Sequence, residues 1–113
     1  MHFISQLRYN SSIGEDDYYY RIKESVRDLT GRVHSYVLLN VGFITPDPSP
    51  EDIRDIGRCL NWLQSHRNEQ DLFGDAMSRY KEFIRRKARE YWDEMVRKGS
   101  LDAVDATVAA SRK

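Results

Sequence analysis

A single cysteine, Cys59, stands in a chain of 113 residues, so no disulfide can close within it. Glycine and proline are scarce, six and three, which excludes collagen-like and linker-like chains. Net charge is missing as well. The 18 basic and 18 acidic residues cancel, and they stay balanced on both sides of Pro48, with 5 basic and 6 acidic before it and 13 and 12 from there on. Neither half is an overall electrostatic footprint for nucleic acid or an anionic membrane. The longest apolar run, YVLLNVGFI at 36–44, falls well short of the roughly 20 residues that span a bilayer. The opening MHFISQLRYN has no basic flank, apolar core or small-residue cleavage site of a secretory leader. These absences set the expected compartment as cytoplasmic, of a cell or an infected host, with no membrane partner.

Catalytic and metal patterns are also lacking. His2, His34 and His66 lie more than thirty positions apart, and no histidine or cysteine recurs at zinc-ligand spacing. Cys59 and His66 would sit two helical turns apart, too far to share a proton. SSIGEDD, 11–17, offers one glycine and then acids that would repel a phosphate. The acids at Asp16, Asp17, Glu51, Asp52 and Asp55 fall at expected helix starts, where capping and the helix dipole account for them. No catalytic residue, metal ligand or cofactor is expected, and the chain is read as a non-enzyme.

What is present is the material of a folded domain: 40% apolar and 32% charged residues, enough to build one core without staples. The domain is expected to span 1–113, with a proline-rich connector at 45–50 and a frayed tail at 110–113. Three alternating prolines in TPDPSPED bar any helix or ladder. Ser49, Pro50 and Asp52 then form a helix start, and Ile53, Ile56, Leu60 and Leu63 an amphipathic stripe, predicting a helix over 51–66. Phe73, Met77, Tyr80, Ile84, Ala88, Tyr91 and Met95 step by three and four and predict a second over 70–98, ended by Gly99. Leu101, Val104 and Val108 predict a third at 101–110.

For 16–44, Ile22, Val26 and Leu29 keep phase with Val33, Tyr36, Val37 and Ile44, which reads as one long helix, broken or bent at Gly31. The expected fold is therefore all-α, a compact bundle of about four helices. The alternative is α+β, with a small two-stranded sheet from 2–9 and 33–44, since RVHSYVLLNVGFI is rich in β-branched residues.

Function rests on surfaces. In EDDYYYR, a helical reading places Tyr18 and Tyr19 at core and rim and turns Tyr20 outward. Aromatics supply interface area at low entropic cost, and the width of the 73–95 stripe exceeds what one small bundle covers. The expectation is a protein-binding module, a small regulator, adaptor or inhibitor of phage or mobile-element type, that occupies a partner surface or self-associates as a homodimer. Tyr19, Tyr20, Trp62, Arg85, Arg86, Arg89 and Trp92 are its candidate contacts. The alternative is a nucleic-acid accessory protein using the arginine-rich face of helix 70–98: thirteen of the 18 cations are arginine, and SRYKEFIRRKARE interleaves them with aromatics.

Overall fold

The computed structural model describes residues 1–67 and 77–111, with Ser111 described in its backbone only. Three strands come first, β1 (His2–Asn10), β2 (Glu15–Arg27) and β3 (Val33–Gly42). Three helices follow, α1 (Pro50–Ser65), α2 (Glu82–Lys98) and α3 (Asp102–Ser111). The strands form one antiparallel meander in the order β1-β2-β3. The all-α bundle is thereby corrected to an α+β fold: the segment read as a helix over 16–44 is two strands and their turn. The two-stranded alternative names β1 and β3 as neighbours, yet β2 lies between them.

The reason lies in spacing. Ile22 and Val26, four apart, share a side in a helix and in a strand alike. The third member of that supposed face, Leu29, sits in the turn and is 66% exposed. What decides is the even-numbered series of β2. Tyr18, Tyr20, Ile22 and Val26 point to the helices, Ile22 fully buried, while Tyr19, Arg21, Lys23, Ser25 and Arg27 point away. Three successive tyrosines thus divide two to one across a sheet. Tyr18 and Tyr20 meet at 6.3 Å with their rings tilted by 42° on the helical side, and Tyr19 meets Phe43 edge-on at 5.5 Å on the other.

β3 alternates badly for a physical cause. Its pairing with β2 jumps from Arg21↔Asn40 to Tyr20↔Gly42 and from Lys23↔Val37 to Ile22↔Leu39. Each jump inserts one extra residue into β3, Leu38 and Val41. Because of the insertion at Leu38, Leu38 and Leu39 are both buried at 2% exposure although adjacent.

The β2–β3 turn is organised by Asp28. Its Oδ1 accepts from Thr30 N at 2.9 Å, Thr30 Oγ1 at 2.6 Å and Arg32 N at 3.0 Å, and its Oδ2 meets His34 Nε2 at 2.7 Å. Gly31, at φ 84°, takes the left-handed conformation this turn requires. Asn10 does the same service at the β1–β2 turn, its Oδ1 accepting Ser12 N at 3.0 Å.

α1 begins as the sequence predicts, with Ser49 and Asp52 closing a reciprocal capping box and Pro50 in the first turn. The predicted 70–98 helix is shorter. Residues 77–81 form a turn and α2 starts at Glu82, while 68–76, including Phe73, lie outside the described residues. It ends at Gly99, φ 68°, whose amide bonds Val96 O while Ser100 N reaches Met95 O at 3.1 Å. The last two residues of the expected frayed tail, 112 and 113, are likewise outside the described residues.

One core lies between the sheet and the helices. It joins Ile22, Leu38 and Leu39 to Ile56, Cys59, Leu60 and Leu63 of α1, Ile84, Ala88, Tyr91 and Met95 of α2, and Val104 of α3. The broad stripe of α2 is therefore covered from within the chain. Among the described residues no helix is long and apolar enough to cross a membrane.

Candidate functional site

The helices cover one face of the sheet and leave the other open. The open face collects Gln6 and Arg8 from β1, Tyr19, Arg21, Lys23, Ser25 and Arg27 from β2, and Val33, Ser35, Val37 and Asn40 from β3. Antiparallel pairing puts these groups in adjacent rows: Arg21 lies between Ile4 and Asn40, Lys23 between His2 and Val37, Arg27 beside Val33. Among the described residues, this face carries no carboxylate over the whole three-stranded part. Acids appear only where β2 pairs with β1 alone, at Glu15 and Asp17.

Tyr19 lies on this face just beyond the three-stranded part, where β2 pairs with β1 alone. The Arg8 guanidinium sits 4.5 Å and that of Arg21 5.7 Å from its ring centroid, an arrangement in which the ring's π-density holds two cations in place. Ser25 and Ser35 share a hydroxyl contact at 3.3 Å, and Arg27 Nη1 donates to Gly31 O at 3.3 Å. Arg21 Nε is buried with no hydrogen-bond partner among the described residues. Val33 and Val37 are each about half exposed, 52% and 51%, and supply apolar contact between the cations. The turn beyond is a fixed point. Hydrogen bonds from Thr30, then from His34, hold the Asp28 carboxyl far below the usual carboxylate range.

The residues singled out from sequence do not converge. Tyr19 is on the open face. Tyr20 faces the helices, half-buried against Phe3 at 6.3 Å, and its hydroxyl pKa is raised by burial and then by Asp17; the outward Tyr20 of a helical reading is corrected. Trp62 stacks on His66 at 4.2 Å along α1 and packs against the core. Trp92 is 4% exposed and belongs to the core, so it offers a partner little surface. Arg85, Arg86 and Arg89 do share a shallow depression on α2 with Glu82. Arg89 pairs with Asp93 at 3.3 Å, Lys87 with Glu90 at 3.7 Å, and Arg85 Nε is buried without a hydrogen-bond partner among the described residues. Carboxylates at 82, 90, 93 and 94 are interspersed on that helix, in contrast to the sheet face.

Cys59 is buried in the core, its thiol pushed up to about 11 by desolvation and then by Asp55, the state of a packing residue rather than a nucleophile. Arg8, Lys23 and Arg27 are the members the sequence reading missed as a group. The signal for Lys23 and Arg27 was the period of two in β2, where positions 21, 23, 25 and 27 read Arg, Lys, Ser, Arg; Arg8, on β1, had none. Comparison with family models, with curated proteins and with solved structures finds no match to this chain, so its fold and site are read from its own geometry.

Proposed function

We propose that this domain binds double-helical nucleic acid through the open face of its sheet, acting by binding rather than by catalysis. The observation that carries the reading is the row of Arg21, Lys23 and Arg27, which among the described residues meets no carboxylate over the three-stranded part, continued by Arg8 and Arg21 against the ring of Tyr19. Lysine and arginine neutralise phosphates and release counterions, a term independent of sequence. Gln6, Asn40, Ser25 and Ser35 offer the amide and hydroxyl groups that read base edges, and Val33 and Val37 suit a thymine methyl. A major groove about 12 Å wide admits an α-helix or a two-stranded β-ribbon, so a pair of these strands is the unit that would enter it. The neutral whole chain does not oppose this, because the open face over the three-stranded part carries cations and, among the described residues, no carboxylate. A cytoplasmic setting, in a cell or an infected host, fits such a role.

The deciding experiment is a mobility shift on short duplexes over a salt series, with two triple variants. Arg8→Ala/Arg21→Ala/Lys23→Ala should abolish binding at moderate salt, whereas Arg85→Ala/Arg86→Ala/Arg89→Ala should retain it. Loss of binding in the helix variant alone would move the interface to α2, and absence of any binding at low salt would end the proposal.

A second reading, a protein-binding module that occupies a partner surface, is favoured by a different observation. Leu7, Tyr9, Ile13 and Tyr18 are each more than half exposed, all on the β1–β2 hairpin.

A further inference from the structure

The first half of β2 has only one neighbour. β3 reaches no further along it than Tyr20, while β1 pairs onward to Asn10↔Glu15. Residues 6–19 therefore form a two-stranded arm beyond the sheet proper. On the arm's helical side lie Leu7 and Tyr9, exposed at 59% and 66%, beside Tyr18 at 51%. Isolated two-stranded ribbons are marginal in water, and among the described residues no helix covers these side chains.

β1 is also an edge, since the sheet order leaves its outer side unpaired. Its nine residues, HFISQLRYN, contain no proline and no lysine, and its pairing with β2 has no bulge. Those are the devices that ordinarily keep an edge from accepting another strand. At the root of the same edge, β1 and α1 enclose a groove lined by Phe3, Pro50 and Ile53 with Arg54 and Arg58 at its rim. The arm's helical side is apolar at Leu7, Tyr9 and Tyr18, with Asp16 towards its end. The groove is apolar with a basic rim. Arm and groove lie on the same edge and the same side of the sheet.

We infer that this edge receives a second copy of the same chain, the two β1 strands pairing antiparallel about Gln6. In that register Tyr9 of each copy falls opposite Phe3 of the other, Leu7 opposite Ser5, and Ile4 opposite Arg8. Each arm then lays its apolar side against the other copy's groove and brings Asp16 towards Arg54 and Arg58. The two helical layers stay clear of one another, because Phe3 and Tyr9 are six residues apart, ~20 Å along a strand. The product is a continuous six-stranded sheet with one open face. This dimer does not depend on nucleic-acid binding, and its test does not use nucleic acid.

Sedimentation velocity of the purified chain should show a concentration-dependent dimer in the micromolar range. Leu7→Glu/Tyr9→Glu should shift it to monomer, with far-ultraviolet dichroism confirming that the variant folds. The charge pairing has its own readout: Arg54→Glu/Arg58→Glu should weaken the dimer and Asp16→Arg should restore it. Register is tested by cysteine crosslinking, for which the buried Cys59 is a silent background. Gln6→Cys should crosslink on mild oxidation, since directly opposed strand residues lie ~4.5–5.5 Å apart between Cα atoms, within disulfide reach. Ile4→Cys should not, because the two copies of residue 4 are separated by four residues, ~13 Å. A wild-type chain that stays monomeric overturns the inference, as does a dimer in which Ile4→Cys crosslinks as well as Gln6→Cys.

Discussion

Ile22 and Lys23 are neighbours in the chain and occupy opposite worlds. Ile22 is fully buried under the helices, and Lys23 lies on the face of the sheet that no described helix covers. The same thirteen residues of β2 thus supply the centre of the core with one parity and the centre of the candidate interface with the other. Structural and functional information is interleaved here residue by residue. An overall charge of zero conceals it, because summation along the chain erases what alternation separates.

The contrast can be broken most forcefully at Ile22. Ile22→Ala should lower stability by ~2–5 kcal/mol, read from urea denaturation, and a loss within a few tenths of a kcal/mol would mean that the sheet is not the floor of the core. Next comes the opposite parity. Arg21→Ala/Lys23→Ala should leave the denaturation midpoint within the ~0.5 kcal/mol typical of surface changes. The same variant should flatten the salt dependence of duplex binding by ~0.9 in log–log slope per lost cation. A large stability loss from this variant would sharpen the picture differently, making the open face a structural element.

A third effect is set by pH. The folded state holds Asp28 below its ordinary pKa, so the carboxylate's contribution to stability is present above the unfolded value of ~3.9 and is lost as pH falls through the lower folded value. The wild type should therefore weaken in acid below about pH 4, and Asp28→Asn should be less stable at neutral pH with a shallower acid limb, followed by thermal melts. Superimposable acid limbs would show that the turn contributes nothing. The smallest change is expected from Arg86→Ala on α2, which should leave both stability and duplex binding nearly unmoved. A fall in affinity as large as that of Arg21→Ala would erase the distinction between sheet and helix.

Much of the helical half was legible. The capping residues Ser49, Pro50 and Asp52 and the 53–63 stripe act locally, and α1 follows them closely. The Gly99 stop acts just as locally. The sheet was harder because its evidence is shared with a helix: a spacing of four fits both periods, so Ile22 and Val26 could not discriminate. The three tyrosines, good strand formers, were weighed as a helical fan. In β3 the extra residues at Leu38 and Val41 spoiled the alternation that would have disclosed a strand. The candidate site suffered most. Its cations come from two strands whose register is a tertiary fact, and Arg8 joins Tyr19 and Arg21 only after the chain has doubled back.

The two insertions in β3 also have a mechanical side. Every such bulge adds right-handed coil to the ribbon that contains it, and here both sit within the last five residues of one rim. A plate so wrung meets a cylinder along a slanted line instead of at a point. Excising Val41 would straighten that rim, and whatever lies along the open side would then be touched by fewer side chains at once.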